Sequence, residues 1–341
     1  MATLPWAVRT WGATTKRVVK LVLALVVLAF VARHVAQTRR DLLARGLTLR
    51  LDYAWLGASV GLYLLGLLAF SVFFWRVLAR SATPVGFYPA VRAYLVSHLA
   101  KYVPGKAMVV VVRSALVAES GARPATAAFA TLYETLTMMA AGGFVAATGF
   151  AFTTPGRTFG PSFRFAWPWN SLVENEVPFI GLASLAGWGF LVLVWPGVFP
   201  RLAGLIRKPL RSVGADALPR FSVGLLVEGL AWTSLGWALL GISQAAVLAG
   251  IGLTELATDP GVWPILVASV ALATVAGFAV PIAPGGLGVR EWVLWTALAS
   301  SLDRDWAVVA ALVLRLVWVV GEVAVAAVLF PLRPGPRRVL G

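Results

Sequence analysis

Lys-Tyr-Val-Pro-Gly-Lys at residues 101–106 and Ala-Pro-Gly-Gly-Leu-Gly-Val-Arg-Glu at residues 283–291 are two related motifs within long apolar regions. Each contains a Pro-Gly pair, and an arginine follows it, Arg113 in the first copy and Arg290 in the second. Proline and glycine interrupt helices, and a break at membrane depth is tolerated only where the backbone is packed in protein or lines a cavity. The two motifs therefore predict an internal duplication built around broken membrane helices.

The composition is that of a polytopic membrane protein. Of 341 residues, 60% are hydrophobic and 13% are charged, whereas about a quarter of residues are charged in soluble domains. The formal net charge of +15 is also found in nucleic-acid-binding proteins, but the basic residues lie mainly in short segments between apolar stretches, which argues against nucleic acid as a partner. The chain has no cysteine and only two histidines, so we predict neither a metal site nor a cofactor.

Six stretches are predicted to cross the membrane, because a bilayer core needs about twenty apolar residues. Residues 53–75 and 177–200 contain no charged residue, and an N-terminal apolar segment is predicted to be a retained first span. Three further stretches carry only one or two charges each: residues 124–152, 221–253 and 306–332. The two remaining regions, residues 87–119 and 260–301, have the pattern of two short helices that meet at a Pro-Gly tip.

Basic residues in short loops predict the orientation of these spans. Residues 201–220 and the C-terminal segment are rich in arginine, so both are predicted to be cytoplasmic, as is the N-terminus. The hairpin in residues 87–119 then enters from the cytoplasm and the hairpin in residues 260–301 from outside. The pattern predicts one transmembrane domain over residues 1–341 in the cell membrane, with an inverted-topology repeat whose copies cover about 18–152 and about 177–332.

A second architecture remains open at the sequence level. If residues 260–301 cross the membrane twice, the chain has eight or more full spans and a less symmetric fold. The arginines between residues 33 and 50 count against the six-span scheme, because that scheme places them outside.

The two Pro-Gly tips are predicted to bind an anion. A helix that begins just after such a tip points its unpaired N–H groups and the positive end of its dipole at the tip. In an alternative interpretation, proline and glycine only allow the sharp turn, and the basic side chains extend to lipid headgroups. The candidate substrate-binding residues are Lys101, Tyr102, Pro104, Gly105, Lys106, Arg113, Pro284, Gly285, Gly286, Arg290 and Glu291.

Four charged residues, Glu134, Glu228, Arg315 and Glu322, lie inside predicted spans. They must face protein or water, because a charge costs about 2.5 to 3.5 kcal/mol at the centre of a membrane helix. Glu134 and Arg315 occupy nearly equivalent positions when the halves are aligned on their Pro-Gly pairs, so we predict that they pair across a pseudo-twofold axis. Glu322 is the alternative partner for Arg315. A structural salt bridge and a role in proton coupling or in binding a cationic headgroup both remain open.

At these residues the sequence resembles the flippase-type transmembrane domain family of lysylphosphatidylglycerol synthases. The resemblance rests on residues 97–106 with Arg113, on Glu134 and on residues 283–291, and it covers nearly the whole chain. It implies movement of an anionic or aminoacylated phospholipid between leaflets. The synthases continue into a soluble aminoacyl-transferase domain, which these 341 residues do not contain, so we expect no synthesis of lysyl lipid.

The leading hypothesis is a lipid translocase, not an enzyme, whose partners are membrane lipids. A transporter of a small soluble anion is an alternative that the same hairpins would serve. A membrane enzyme acting on lipid phosphates is a weaker one, because cysteine is absent and the aspartates fall in loops or at span edges. The sequence leaves open whether the chain forms a homo-oligomer.

Overall fold

The computed structural model of the protein describes residue 40 and residues 51–102, 107–152, 177–207, 218–280, 288–298 and 301–333. Within these residues the regular structure is helical and contains no strand, so the prediction of an all-α membrane protein is confirmed. The first predicted span and both Pro-Gly tips lie outside the described residues.

Eleven α-helices and one short 3-10 helix make up this part of the chain. They are α1 (Tyr53–Ala79), α2 (Phe87–Ser97), the 3-10 helix (His98–Tyr102), α3 (Ala107–Ala118), α4 (Pro124–Ala151), α5 (Val177–Val194), α6 (Phe199–Arg207), α7 (Val223–Gly250), α8 (Thr254–Thr258), α9 (Trp263–Ala279), α10 (Val289–Leu298) and α11 (Arg304–Leu329).

Polar side chains fix the start of three long helices. A carboxylate oxygen of Asp52 accepts a hydrogen bond from the N–H of Ala54 (2.9 Å) before α1. Ser222 caps α7 and Asp303 caps α11 in the same way. Each cap satisfies an N–H group that has no partner within the helix, so the helix begins directly after the polar residue.

Three of these helices, α1, α7 and α11, are long and apolar enough to cross a membrane, and α5 with α6 adds a fourth if that bent pair is one span. The bend is 71° and follows Val194, because Pro196 cannot continue the helix. The α4 helix has 28 residues but does not meet the same hydropathy criterion, since it carries Glu134 among several threonines and glycines. The count of six spans therefore stays a prediction.

Backbone contacts define two ends of the bundle. The helices α1 and α7 lie side by side in opposite directions, because the N–H of Asp52 donates to the carbonyl of Gly250 (2.9 Å) and the N–H of Arg220 donates to the carbonyl of Arg80 (3.2 Å). We name these the Gly250 end and the Arg80 end. At 1.5 Å per residue, a helix of this length separates the two ends by roughly 40 Å.

The first helix pair, α2 with α3, begins and ends at the Arg80 end. The indole N–H of Trp75 donates to the carbonyl of Val85 (3.2 Å), which holds the start of α2 beside the last turn of α1. The Arg92 guanidinium donates to the carbonyl of Phe330 (2.8 Å) and pairs with Glu119 (3.3 Å), which directly follows α3. The end of α11 therefore lies at this end as well.

The second helix pair, α9 with α10, lies at the opposite end. The start of α9 is packed so tightly on the end of α4 that a Cβ on Gly149 would be 2.6 Å from the carbonyl oxygen of Pro264. Because α11 ends beside Arg92 and has 26 residues, its first residue, which follows α10, lies at the Gly250 end.

Packing between the two halves of the chain is reciprocal. The α4 helix packs against α9 as α11 packs against α2, and α4 contacts α7 as α11 contacts α1. Glycines allow the close approach of α1 and α7, since a Cβ on Gly236 would be 2.3 Å from the Phe70 ring. An inverted repeat requires correspondence of this kind, and the repeat with its boundaries stays a prediction.

Candidate functional site

A cavity lies where the 3-10 helix, the start of α10 and the middle of α11 meet. Its volume is about 20 Å³, which is room for about one water molecule. Lys101 and Tyr102 are the last described residues before the first tip, and Arg290 and Glu291 come shortly after the second, so residues next to both tips border one cavity. Its lining consists of Lys101, Tyr102, Arg290, Glu291, Leu294, Ala311, Leu314, Arg315, Trp318 and Glu322.

Glu322 is fully buried and accepts hydrogen bonds from the first half of the chain. Its Oε1 accepts from Lys101 Nζ (2.5 Å) and from the Tyr63 hydroxyl, and His98 Nε2 lies 3.7 Å from the same oxygen. Its Oε2 is buried and makes no hydrogen bond of good geometry among the described residues, although the Tyr102 hydroxyl lies within hydrogen-bonding reach of the carboxylate. The Lys101–Glu322 pair thus connects the first helix pair to α11.

A second ion pair at the cavity connects α10 to α11. Arg315 Nη1 donates to Glu291 Oε1 (2.5 Å), and Glu291 Oε2 accepts from the N–H of Gly288 (2.7 Å). Gly288 has φ +82°, which glycine adopts without steric cost. The Glu291 carboxylate therefore does two things at once: it caps α10 and it binds Arg315. The Gly288 N–H is consequently not free for an external anion.

Arg290 is held differently from Lys101 and Arg315, the other two cationic residues of the described lining. Its guanidinium carbon lies 4.8 Å from the centroid of the Trp318 ring, a cation–π contact. Among the described residues, no carboxylate lies within the 4.0 Å ion-pair distance of its nitrogens. The described part of the lining holds three cationic side chains and two carboxylates, so it carries one positive charge in excess.

The predicted pair between Glu134 and Arg315 is wrong. Glu134 Oε2 instead accepts from Arg113 Nη1 (3.1 Å), and Arg315 pairs with Glu291. The reason is adjacency, because α3 packs on α4 and α10 packs on α11, so each charge finds its partner on the neighbouring short helix. The alternative pair of Arg315 with Glu322 is also wrong, since Lys101 holds Glu322.

Arg113 was predicted to bind substrate, but it does not line the cavity. Its Nε donates to Ser97 Oγ (3.0 Å), and its guanidinium carbon lies 3.9 Å from the centroid of the Tyr94 ring. The Tyr94 hydroxyl and the Thr135 hydroxyl donate to the two oxygens of Glu134 at 3.0 and 3.2 Å. This buried and well-satisfied pair has the properties of a structural element.

Glu228 lies far from the cavity. It pairs with Arg76 and with Arg80 (3.3 Å) near the Arg80 end, where all three side chains are partly exposed. The remaining candidate residues lie outside the described residues: Pro104, Gly105, Lys106, Pro284, Gly285 and Gly286.

Sequence reasoning missed two aromatic residues that support the site. Tyr63 donates to Glu322, and its ring stacks on Trp318 with 4.5 Å between the centroids. Tyrosine in the middle of an apolar span was the available signal for the first, because a buried hydroxyl needs a hydrogen-bond partner. Trp318 gave no such signal, because the chain has 15 tryptophans and nothing in the sequence distinguishes this one.

The fold and the site together define a class: a polytopic helical membrane protein with paired short helices and a buried ionic cavity. The sequence matches the lysylphosphatidylglycerol synthase TM region over residues 17–326. The chain therefore belongs to the lysylphosphatidylglycerol synthase transmembrane family, which is linked to lipid-related membrane function. A comparison with curated proteins finds no match.

Proposed function

We propose that the protein is a lipid translocase, a transporter and not an enzyme, that moves an anionic, phosphate-bearing lipid between leaflets. The lipid phosphate binds at the cavity between the two helix pairs, which must widen from about 20 Å³ to admit it. One observation carries the proposal: among the described residues, Arg290 contacts an indole ring and no carboxylate, in a cavity whose described lining has one excess positive charge. A phosphate supplies the missing charge and the paired acceptor oxygens that a guanidinium favours.

The proposal includes an inverted repeat with two re-entrant hairpins. Two observations support it: α1 and α7 run in opposite directions, and the two helix pairs belong to opposite ends of the bundle. Arginines 76, 80, 92 and 220 lie at or near the Arg80 end, whereas the α8 segment carries Glu255 and Asp259. By the positive-inside rule, the Arg80 end and both termini face the cytoplasm.

The lining favours a lipid over a hydrated ion. Leu294, Ala311 and Leu314 border the same space as the charged groups. Apolar side chains suit the glycerol and upper acyl region of a lipid, whereas a soluble anion would keep polar groups or water around it. The substrate class follows from this combination of one excess cation and an apolar wall.

Translocation in liposomes tests this function. We expect the purified protein to accelerate the transbilayer exchange of fluorescent phosphatidylglycerol, and Arg290→Gln to slow it about tenfold or more, because one charge-assisted hydrogen bond contributes about 1.5 to 3 kcal/mol. The exposed Arg201 on α6 provides the matched control, and Arg201→Gln is expected to leave the rate unchanged.

A different result would replace the substrate class. If the wild-type protein accelerates none of the tested lipids, but carries inorganic phosphate into the liposomes and loses this flux in Arg290→Gln, the protein is a transporter of soluble anions.

A further inference from the structure

Two buried carboxylates of the described core are held in different ways. Both oxygens of Glu134 accept hydrogen bonds, from Tyr94 and from Arg113 with Thr135. Glu322 accepts from Lys101 and Tyr63 at Oε1, whereas its buried Oε2 makes no hydrogen bond of good geometry among the described residues, with the Tyr102 hydroxyl near the carboxylate. A buried polar atom without a partner is costly, so such an atom in a native structure needs an explanation. Glu322 is therefore less completely satisfied by well-formed hydrogen bonds than Glu134 is.

Lys101 is the more exposed partner of its ion pair with Glu322. The Lys101 side chain is 19% exposed and borders the cavity, whereas that of Glu322 is 1% exposed. An ammonium group has three donors, so Lys101 is able to meet a ligand from the cavity side. Lys101 thus binds an internal anion, Glu322, and also borders the space in which an external anion would bind.

The same ion pair also crosses between the halves of the chain. At the cavity, Glu291–Arg315 stays within the second half, whereas Lys101–Glu322 joins the first half to α11. The Tyr63 hydroxyl on α1 donates to the same Oε1, so the carboxylate of Glu322 holds two elements of the first half at once. Any relative movement of the halves at the cavity must break these contacts.

We propose that Glu322 is an internal counter-anion, which holds Lys101 while the cavity is empty and is displaced from Lys101 by the phosphate of the bound lipid. This inference rests on the proposed function and adds a residue that sets affinity and couples binding to movement. When Lys101 turns to the phosphate, the ionic link between the halves at the cavity is broken, while Tyr63 still donates to Glu322. Fewer contacts then oppose relative movement of the halves, so the ligand favours the state in which they move, as a population shift requires.

Ligand affinity measures this competition. The probe is dioctanoyl phosphatidic acid, titrated into the purified full-length protein in detergent. We expect Glu322→Gln to lower the Kd about tenfold, because the phosphate then no longer competes with a carboxylate for Lys101. Lys101→Gln is expected to raise the Kd about tenfold. The double variant is expected to lie within about threefold of the wild-type Kd, since it keeps Arg290 and the same excess charge. Glu228→Gln, which removes a carboxylate paired far from the cavity, is the matched control and should not change the Kd.

A shorter side chain keeps the test valid if Glu322→Gln does not fold. Glu322→Asp retains the charge that balances Lys101 but withdraws the carboxylate by one methylene, so it should bind the probe about threefold more tightly than the wild type. A Kd for folded Glu322→Gln or Glu322→Asp that equals or exceeds the wild-type value would overturn the inference and leave Glu322 as a structural or headgroup contact.

The two proposals fail in different ways. If the wild type translocates lipid and Arg290→Gln does not, while removal of Glu322 weakens binding, only the counter-anion inference is lost. If the wild type neither binds nor moves any phosphate-bearing lipid, the proposed function fails and the inference fails with it.

Discussion

Glu134→Gln is expected to lower the free energy of unfolding by about 3 to 5 kcal/mol, because it leaves the buried Arg113 guanidinium without its counter-ion. Arg113 is 2% exposed and Glu134 is 1% exposed, so water cannot replace the lost partner. Thermal unfolding of the purified protein in detergent, with recovery of monodisperse protein as a second readout, measures this effect.

Removal of both charges distinguishes the observed pair from other pairings. In Arg113→Met/Glu134→Gln no buried charge is left alone, so most of the lost stability should return. Glu228→Gln is the control, since its partly exposed partners limit the expected loss to about 1 kcal/mol or less. A double variant no more stable than Glu134→Gln would contradict the Arg113–Glu134 pairing.

Cysteine labelling should give an all-or-none result for the two helix pairs. The chain has no cysteine of its own, so single cysteines can be introduced without a background. Positions 88 and 123 flank the first helix pair and positions 258 and 305 flank the second, and all four are exposed. If both pairs re-enter the membrane, cysteines at 88 and 123 react only with reagent on the cytoplasmic side, and those at 258 and 305 only with reagent on the outer side.

The alternative architecture gives a different labelling pattern. If a helix pair crosses the membrane twice, a cysteine in the segment between its two helices reacts from the far side; Val103→Cys and Ile282→Cys test this for the two pairs. Reaction of residues 88 and 123 from opposite sides would rule out a hairpin in the first half altogether. Labelling of both 88 and 258 from one side would contradict the inverted topology.

The helix pairs could be predicted from sequence because their signals are local. Long apolar runs interrupted by Pro-Gly indicate two short helices, and the described residues before and after both tips are helical. The bend after Val194 has an equally local signal in Pro196-Gly197, which the absence of charge over residues 177–200 obscured. Periodicity and composition thus account for most of the helical elements.

Ion-pair partners could not be predicted, because they depend on which helices become neighbours. Glu134 and Arg315 lie at equivalent positions of the two halves, but equivalent positions need not be close together in the fold. Each of the two residues instead pairs with the short helix that precedes its own helix, with the charges reversed between the halves. The pairing of Lys101 with Glu322 spans 221 positions in sequence, and only the packing of α2 and the 3-10 helix against α11 brings them together.

The most direct test of the central claim is a cryo-EM reconstruction of the protein in lipid nanodiscs that contain phosphatidylglycerol. We expect density for a lipid phosphate within hydrogen-bond distance of Arg290 and Lys101, with acyl chains leaving the cavity toward the bilayer and Lys101 separated from Glu322. A cavity that is sealed from the bilayer, with lipid density only on the outer surface of the helices and Lys101 still paired with Glu322, would contradict the account.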